Sequence, residues 1–243
     1  MRIAVISDVH SNLLALDAVL AQAGAVDAVW HLGDIVGYGP EPDAVVERLA
    51  SVGALGVRGN HDAAACGGSE IDWFNADARS AMEWTREVIS DRTRSWLRGL
   101  PERRDEVDFT LVHGSGRDPT WEYVTSAAAA HESLAVMATR HGLNGHTHIP
   151  AAFLETGNRI GRAGPDGGSK ELTIGLDIGR LLLNPGSVGQ PRDGDPRASY
   201  LILDTGAQTA SWRRVAYDVA VVGAAMHAAG LPVRLAERLR HGR

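Results

Sequence analysis

Residues 2–24 read RIAVISDVHSNLLALDAVLAQAG, and their order decides the fold class. Ile3 to Ile6 is an apolar, β-branched run of strand length, broken at once by the polar turn DVHSN. Beyond it, Leu13, Leu16 and Leu20 recur along one helical face, with Ser11 or Asn12 placed to cap the start and Gly24 to stop it. The unit then repeats. Ala28 to Leu32 forms a second strand, GYGPEP a loop, Val45, Val46 and Leu49 a second helix, and Leu55 to Val57 a third strand. This β-α-β-α-β rhythm predicts an α/β fold with at least part of its sheet parallel.

Further along, Asn75 to Leu100 reads mostly as helix, with Ala81, Thr85, Val88 and Ile89 on one face, and Phe109 to Val112 returns to strand. From Ala151 the texture changes to short runs, AAFLE, KELTI, RLLLN, SYLILD and TASWRRVAY, which predict a largely antiparallel second sheet. GRAGPDGGSK reads as an exposed hairpin loop, and two amphipathic helices close the chain. With no internal repeat, linker-like tract or charge block, residues 1–243 are expected to form a single domain.

Composition narrows the function classes. Hydrophobic residues are 44% and charged residues 22% of the 243, an ordinary globular profile. The formal charge of -6 argues against extended nucleic-acid binding and against acidic membrane surfaces. A small anionic substrate stays open, because a bound cation reverses the local field. One cysteine, Cys66, permits no intramolecular disulfide and reads as an inert thiol. MRIAVISDVH meets two ionisable residues before a secretory h-region could form, and no apolar run approaches bilayer-spanning length, so a cytoplasmic protein is expected.

Residues able to bind hard or borderline metals fall just beyond the apolar runs. Asp8 and His10 follow IAVIS, Asp34 follows VWHLG, and Asn60, His61 and Asp62 follow GVRG. His113 follows FTLV, and His146 and His148 follow LNG. In an open α/β sheet, strand carboxyl ends converge on one ligand-binding edge. Each fragment has a plainer reading: Asp-x-His as a cap, Gly-Asp as a turn pair, a lone histidine as a satisfied core residue. In GHTH, alternate residues on a strand would put both rings on one face. His31 sits on the second strand with its direction unfixed, whereas His131, His141, His227 and His241 read as surface positions.

Together the blocks resemble the calcineurin-like metallophosphoesterases, whose pattern D-x-H, GD, GNH[DE], H and GHxH stands here as Asp8-Val9-His10, Gly33-Asp34, Gly59-Asn60-His61-Asp62, His113 and Gly145-His146-Thr147-His148. The resemblance runs from residue 1 to about Arg192, and SDVHSN, GDIVGYGP and NPGSVGQPR are similar to a small bacterial and archaeal branch. It implies an α/β sandwich of two mixed β-sheets packed face to face and flanked by helices. It implies two divalent metal ions, manganese foremost, with iron, zinc, nickel or magnesium as alternatives. One ion would take Asp8, His10, Asp34 and His148; the other would take Asp34, Asn60, His113 and His146, with Asp34 bridging. A hydroxide held between the ions would attack phosphorus. His61 would meet the leaving group as a charged proton donor, with Asp62 behind it as orienting partner.

The expected activity is hydrolysis of small phosphodiesters or nucleotide-like phosphates at a fairly open site. Alternatives are phosphomonoesterase or protein phosphatase activity, or a scaffold that keeps the fold without catalysis, as the retromer subunit of this fold does. An intact ligand set favours the enzyme. Candidate substrate contacts are Asn12, Tyr38 and Arg192, which read equally as a helix cap, a loop packer and a solvated arginine. Arg117, Trp121, Glu122 and Tyr123 follow His113, where they could wall the cleft or cover the core.

Overall fold

The computed structural model describes residues 1–157, 159–165 and 171–243. The chain runs β1 (Arg2–Ile6), α1 (Leu13–Ala23), β2 (Ala28–His31), α2 (Pro42–Ser51), β3 (Leu55–Gly56) and α3 (Asn60–Ala65). A 3₁₀ turn at Ser69–Trp73 leads into α4 (Ala76–Val88), α5 (Asp91–Arg98), β4 (Arg103–Glu106), β5 (Phe109–Val112), α6 (Ala127–Ala135) and β6 (His141–Leu143). Then come β7 (Ala151–Thr156), β8 (Arg159–Gly164), β9 (Leu172–Gly175), β10 (Arg180–Asn184), β11 (Ala198–Asp204), β12 (Thr209–Val215), α7 (Val219–Ala228) and α8 (Val233–His241).

Two six-stranded mixed sheets result, ordered β3-β2-β1-β11-β12-β9 and β4-β5-β6-β10-β7-β8. β1, β2 and β3 pair in parallel in the first, as do β5, β6 and β10 in the second. The expected antiparallel second sheet is therefore corrected: its strands are shared out. β11, β12 and β9 extend the first sheet, because β11 pairs antiparallel with β1, while β7 and β8 extend the second beside β10. Local patterning marks a strand but not its partner. Of GRAGPDGGSK, residues 161–164 lie in β8 rather than a loop, and 166–170 fall outside the described residues.

Strand alternation builds the layers. Ile3 and Val5 face the other sheet, meeting Leu32, Phe109, Leu111, Leu183 and Trp212 in the core between the sheets. Ala4 and Ile6 face the opposite way, onto Leu16, Val19, Val45 and Leu49 of α1 and α2. On the outer face of the second sheet, Val112, Phe153 and Leu182 pack against Leu134 of α6. α7 and α8 add a third mass, in which Val222, Met226, Leu235 and Leu239 pack with Tyr38 and Ala81. No helix among the described residues is long and apolar enough to cross a membrane.

Two histidines correct the surface reading or complete it. His141 is buried at the head of β6, where its Nδ1 accepts the Leu181 N–H at 3.2 Å. Burial, then the Arg140 charge, hold its pKa down at about 4. His31 is buried in β2, with both ring nitrogens unpartnered, and burial holds its pKa near 3. An unfolded histidine titrates near 6.5, so below that pH the unfolded chain binds the proton that folded His141 refuses. Stability contributed by neutral His141 should thus be full above about pH 6.5 and fall by on the order of 2–3 kcal/mol towards about pH 4. His141→Asn, which keeps an acceptor for Leu181, should show a shallower fall of thermal midpoint over that window; an unchanged slope would refute the assignment.

Candidate metal centre

The carboxyl ends of β1, β2, β5 and β6 deliver their polar residues to one place, as parallel pairing within each sheet requires. Asp8, His10, Asp34 and His148 offer ligand atoms within 4.8 Å of one another, and Asp34, His113 and His146 form a second such group. All six are buried. Asp34 belongs to both groups: its Oδ2 lies 3.7 Å from His10 Nε2 and 3.3 Å from His113 Nε2. Asn60 joins the second, with its Oδ1 3.1 Å from His113 Nε2, and His146 Nδ1 lies 3.0 Å from the same atom. Asp8 Oδ1 lies 3.3 Å from His148 Nε2, which is itself 3.2 Å from His10 Nε2.

The backbone is bent to achieve this. Asp8, His10, Asp34, His146 and His148 all adopt positive φ, at 54°, 48°, 53°, 65° and 60°. Non-glycine residues seldom do so, and such conformations persist where surrounding structure over-determines them. His146 and His148 are thus not on a strand: β6 ends at Leu143, and a turn rather than alternation aims both rings. Glycines give the loops room. A Cβ on Gly59 would lie 2.1 Å from Asp34 Oδ1, and one on Gly145 would lie 2.0 Å from Ser7 Oγ.

Backbone carbonyls fix the rings. The Nδ1 atoms of His10, His113 and His148 sit 3.2, 2.7 and 2.6 Å from the carbonyls of Val36, Leu32 and Gln190. Donation from Nδ1 leaves the Nε2 lone pair pointing inward, the arrangement that prepares a histidine for a metal. No sequence signal marks these carbonyls, since any residue supplies one. Asp8 Oδ1 and His146 Nε2 are buried without hydrogen-bond partners. The mixed nitrogen and oxygen donors suit manganese, iron or zinc better than calcium. On these observations the residues fit divalent cations.

Burial opposes a charged Asp34, yet His113, His61 and His10 outweigh it and hold its carboxyl well below the usual range. Burial likewise opposes a charged His113, but the Asp34 carboxylate prevails and raises its pKa to about 9. Burial lifts Asp8 to about 7 and depresses His10, His146 and His148. The Asp34 carboxylate draws a proton onto His113, and a cation bound there would displace it.

Three expectations change. Asp62 does not stand behind His61: its Oδ1 accepts the Ile35 and Val36 N–H groups at 2.8 and 3.1 Å, and its Oδ2 accepts that of Gly59 at 3.0 Å. It clamps the GNHD loop onto the GDIVG loop, and the His61 Nδ1 is buried without a hydrogen-bond partner. His61 is not held as an imidazolium, since burial brings its pKa down to about 4 against the pull of Asp34. Asn12 is occupied as a cap: its Oδ1 accepts the Ala15 N–H at 3.1 Å and its amide donates to the Gly189 carbonyl at 3.1 Å.

Other candidates line the site. His61 packs flat on Phe74 with centroids 4.4 Å apart and meets Tyr38 at 4.5 Å. The Arg192 guanidinium stands 5.9 Å from the Tyr38 ring centre and bonds the Gln190 amide oxygen at 2.8 Å. Sequence reasoning missed Phe74, though the WF pair was visible. Tyr123 stacks on His146 at 3.9 Å, and Trp121 meets that ring edge-on at 6.3 Å. Arg117 is spent on ion pairs with Glu122 and Glu132. Cys66 is half-buried, and burial raises its thiol pKa.

The sequence and fold are similar to those of known proteins. The crystal structure of a metallophosphoesterase from Sphaerobacter thermophilus is 43% identical and superposes with a TM-score of 0.89, covering 100% of this chain and 99% of that one. A Methanocaldococcus jannaschii protein is 36% identical over 253 aligned positions, spanning 99% of this chain and 98% of its own length. The symmetrical bis(5'-nucleosyl)-tetraphosphatase of Aromatoleum aromaticum is 29% identical over 147 positions, 57% of this chain but only 52% of that enzyme. The model of the calcineurin-like phosphoesterase superfamily domain matches residues 1–208, and the chain belongs to that superfamily.

Proposed function

We propose that this protein hydrolyses small phosphodiesters or nucleotide-like phosphates with two divalent cations, diesters in preference to monoesters. The observation that carries the reading is the shared carboxylate of Asp34 between two buried ligand groups whose imidazole lone pairs point inward. Asp8, His10, Asp34 and His148 would hold one ion, and Asp34, Asn60, His113 and His146 the other, manganese foremost. Such ions, when bound, neutralise phosphoryl oxygens and supply a nucleophilic water at neutral pH. Residues 1–243 act as one unit in this reading, because Tyr38 of the site loop packs with Val222, Met226 and Leu239 of the closing helices.

The side chains around the ligands divide the remaining work. Arg192, tied to a neutral amide rather than a carboxylate, keeps its charge for a phosphoryl oxygen. His61, wedged between Phe74 and Tyr38, meets the leaving-group oxygen and hands it a proton. Asp62 fixes the loops that carry Asp34 and His61. The relatives named as tetraphosphatases support nucleotide-like phosphates as the substrate class.

The test is metal analysis of the purified protein, with hydrolysis of bis(p-nitrophenyl) phosphate in Mn²⁺, Ni²⁺, Zn²⁺ and Mg²⁺. Cyclic nucleotides, dinucleoside polyphosphates and monoesters follow on the same sample. Turnover with at least one ion, abolished by chelator, is expected. No bound metal and no hydrolysis under any ion would turn the reading to a scaffold.

A further inference from the structure

Trp73 closes the 3₁₀ turn before α4 and is 80% exposed, a large apolar ring held in solvent. A single exposed apolar residue needs no explanation. This one is not single. Its ring lies 6.2 Å from Trp121, which lies 6.2 Å from Phe74 and 6.3 Å from His146. Tyr123, itself half exposed, lies over His146 at 3.9 Å with the planes 17° apart, and Phe74 lies over His61 at 4.4 Å. A chain of rings therefore leads from solvent to a candidate metal ligand and to the candidate proton donor.

Aromatic residues are only 5% of the sequence, yet four of them stand along this one wall. Core packing accounts for Phe74, but not for rings left exposed at Trp73 and Tyr123. The flank beside His10 is different: there Tyr38 carries the Arg192 guanidinium. The site thus offers cationic contact on one side and flat apolar faces on the other, which matches a molecule that is a phosphate at one end and an aromatic ring at the other.

We infer that Trp73, Trp121 and Tyr123 form a stacking shelf for the nucleobase of a nucleotide ester whose phosphate lies over the two ligand groups. This rests on the phosphoesterase reading above and names its substrate class. Stacking fits because every base offers a π-face, so the shelf selects for a base without selecting which one. The formal charge of -6 on the whole chain favours a mono- or dinucleoside ester over a long strand.

Calorimetric titration of the purified protein with AMP and with ribose 5-phosphate tests the shelf. AMP should bind about tenfold more tightly, within what one stacked base contributes. That ratio should fall towards one in Trp73→Ala and in Trp121→Ala, and survive in Trp73→Phe. Using a ratio cancels any general loss of folding or metal, which would weaken both ligands alike. Equal affinities in the unaltered protein, no measurable AMP binding, or a ratio indifferent to both alanine variants would overturn the inference. So would a dimer that dissociates in Trp73→Ala with the ratio intact, since the shelf would then be an interface between copies. Metal-dependent hydrolysis of bis(p-nitrophenyl) phosphate separates the two layers: if it persists while the ratio is one, only the shelf is wrong.

Discussion

In the proposed two-cation site, Asp34→Asn should abolish binding of both cations together and lower phosphodiester hydrolysis on the order of a thousandfold. The side chain is the one member common to both ligand groups, and its two oxygens are differently engaged. Oδ1 accepts the His61 backbone N–H at 2.9 Å, whereas Oδ2 faces His10 and His113. Asparagine can reproduce the first contact through its carbonyl oxygen. It cannot supply the charge, and only a carboxylate can bridge two dications while cancelling part of theirs. The fold should survive, because His113 owes its raised pKa to that carboxylate and becomes neutral without it. His148→Ala is the contrast: His148 belongs to the first group alone, so about one cation per chain should remain. Mass-spectrometric metal counting alongside near-ultraviolet circular dichroism checks both. An Asp34→Asn variant that retained two metals and full turnover would end the shared-carboxylate reading.

Much of this site was legible in the sequence because its residues are chemically specialised and its strands locally patterned. Asp8, His10, Asp34, Asn60, His113, His146 and His148 each follow an apolar run that ends at the edge where the two candidate ligand groups meet. Chain order alone cannot say which sheet a strand joins, so β11 beside β1 was invisible, and with it the split of the C-terminal strands between the sheets. Contacts through backbone were equally hidden: the Val36, Leu32 and Gln190 carbonyls that aim three histidines carry no residue signature. Asp62 was misjudged for a related reason. A motif fixes its position, while the three N–H groups it accepts come from two loops far apart in sequence. His141 was misplaced because β6 is only three residues long, too short for its pattern to show that a polar ring points inward.

His61→Ala and His61→Asn should slow hydrolysis of esters with poor leaving groups by about 10²- to 10⁴-fold, the usual range for a lost proton donor, and leave metal content unchanged. The imidazole is in neither ligand group, so its removal vacates no coordination position. Its neighbours are the rings of Phe74, Tyr38 and His10, and its Nδ1 is buried without a partner, so no hydrogen-bonded network collapses with it. Burial, with a pKa near 4, makes His61 neutral near pH 7 before substrate arrives. A phosphate ester brings negative charge beside the ring and opposes that burial, so protonation belongs to the substrate complex rather than to the free protein. The leaving group then becomes the diagnostic. An alkoxide needs the proton and should suffer the full loss. A p-nitrophenolate leaves without one and should lose far less. If both substrate types slow equally, or if metal occupancy falls in step with activity, His61 acts by shaping the site and not by donating a proton.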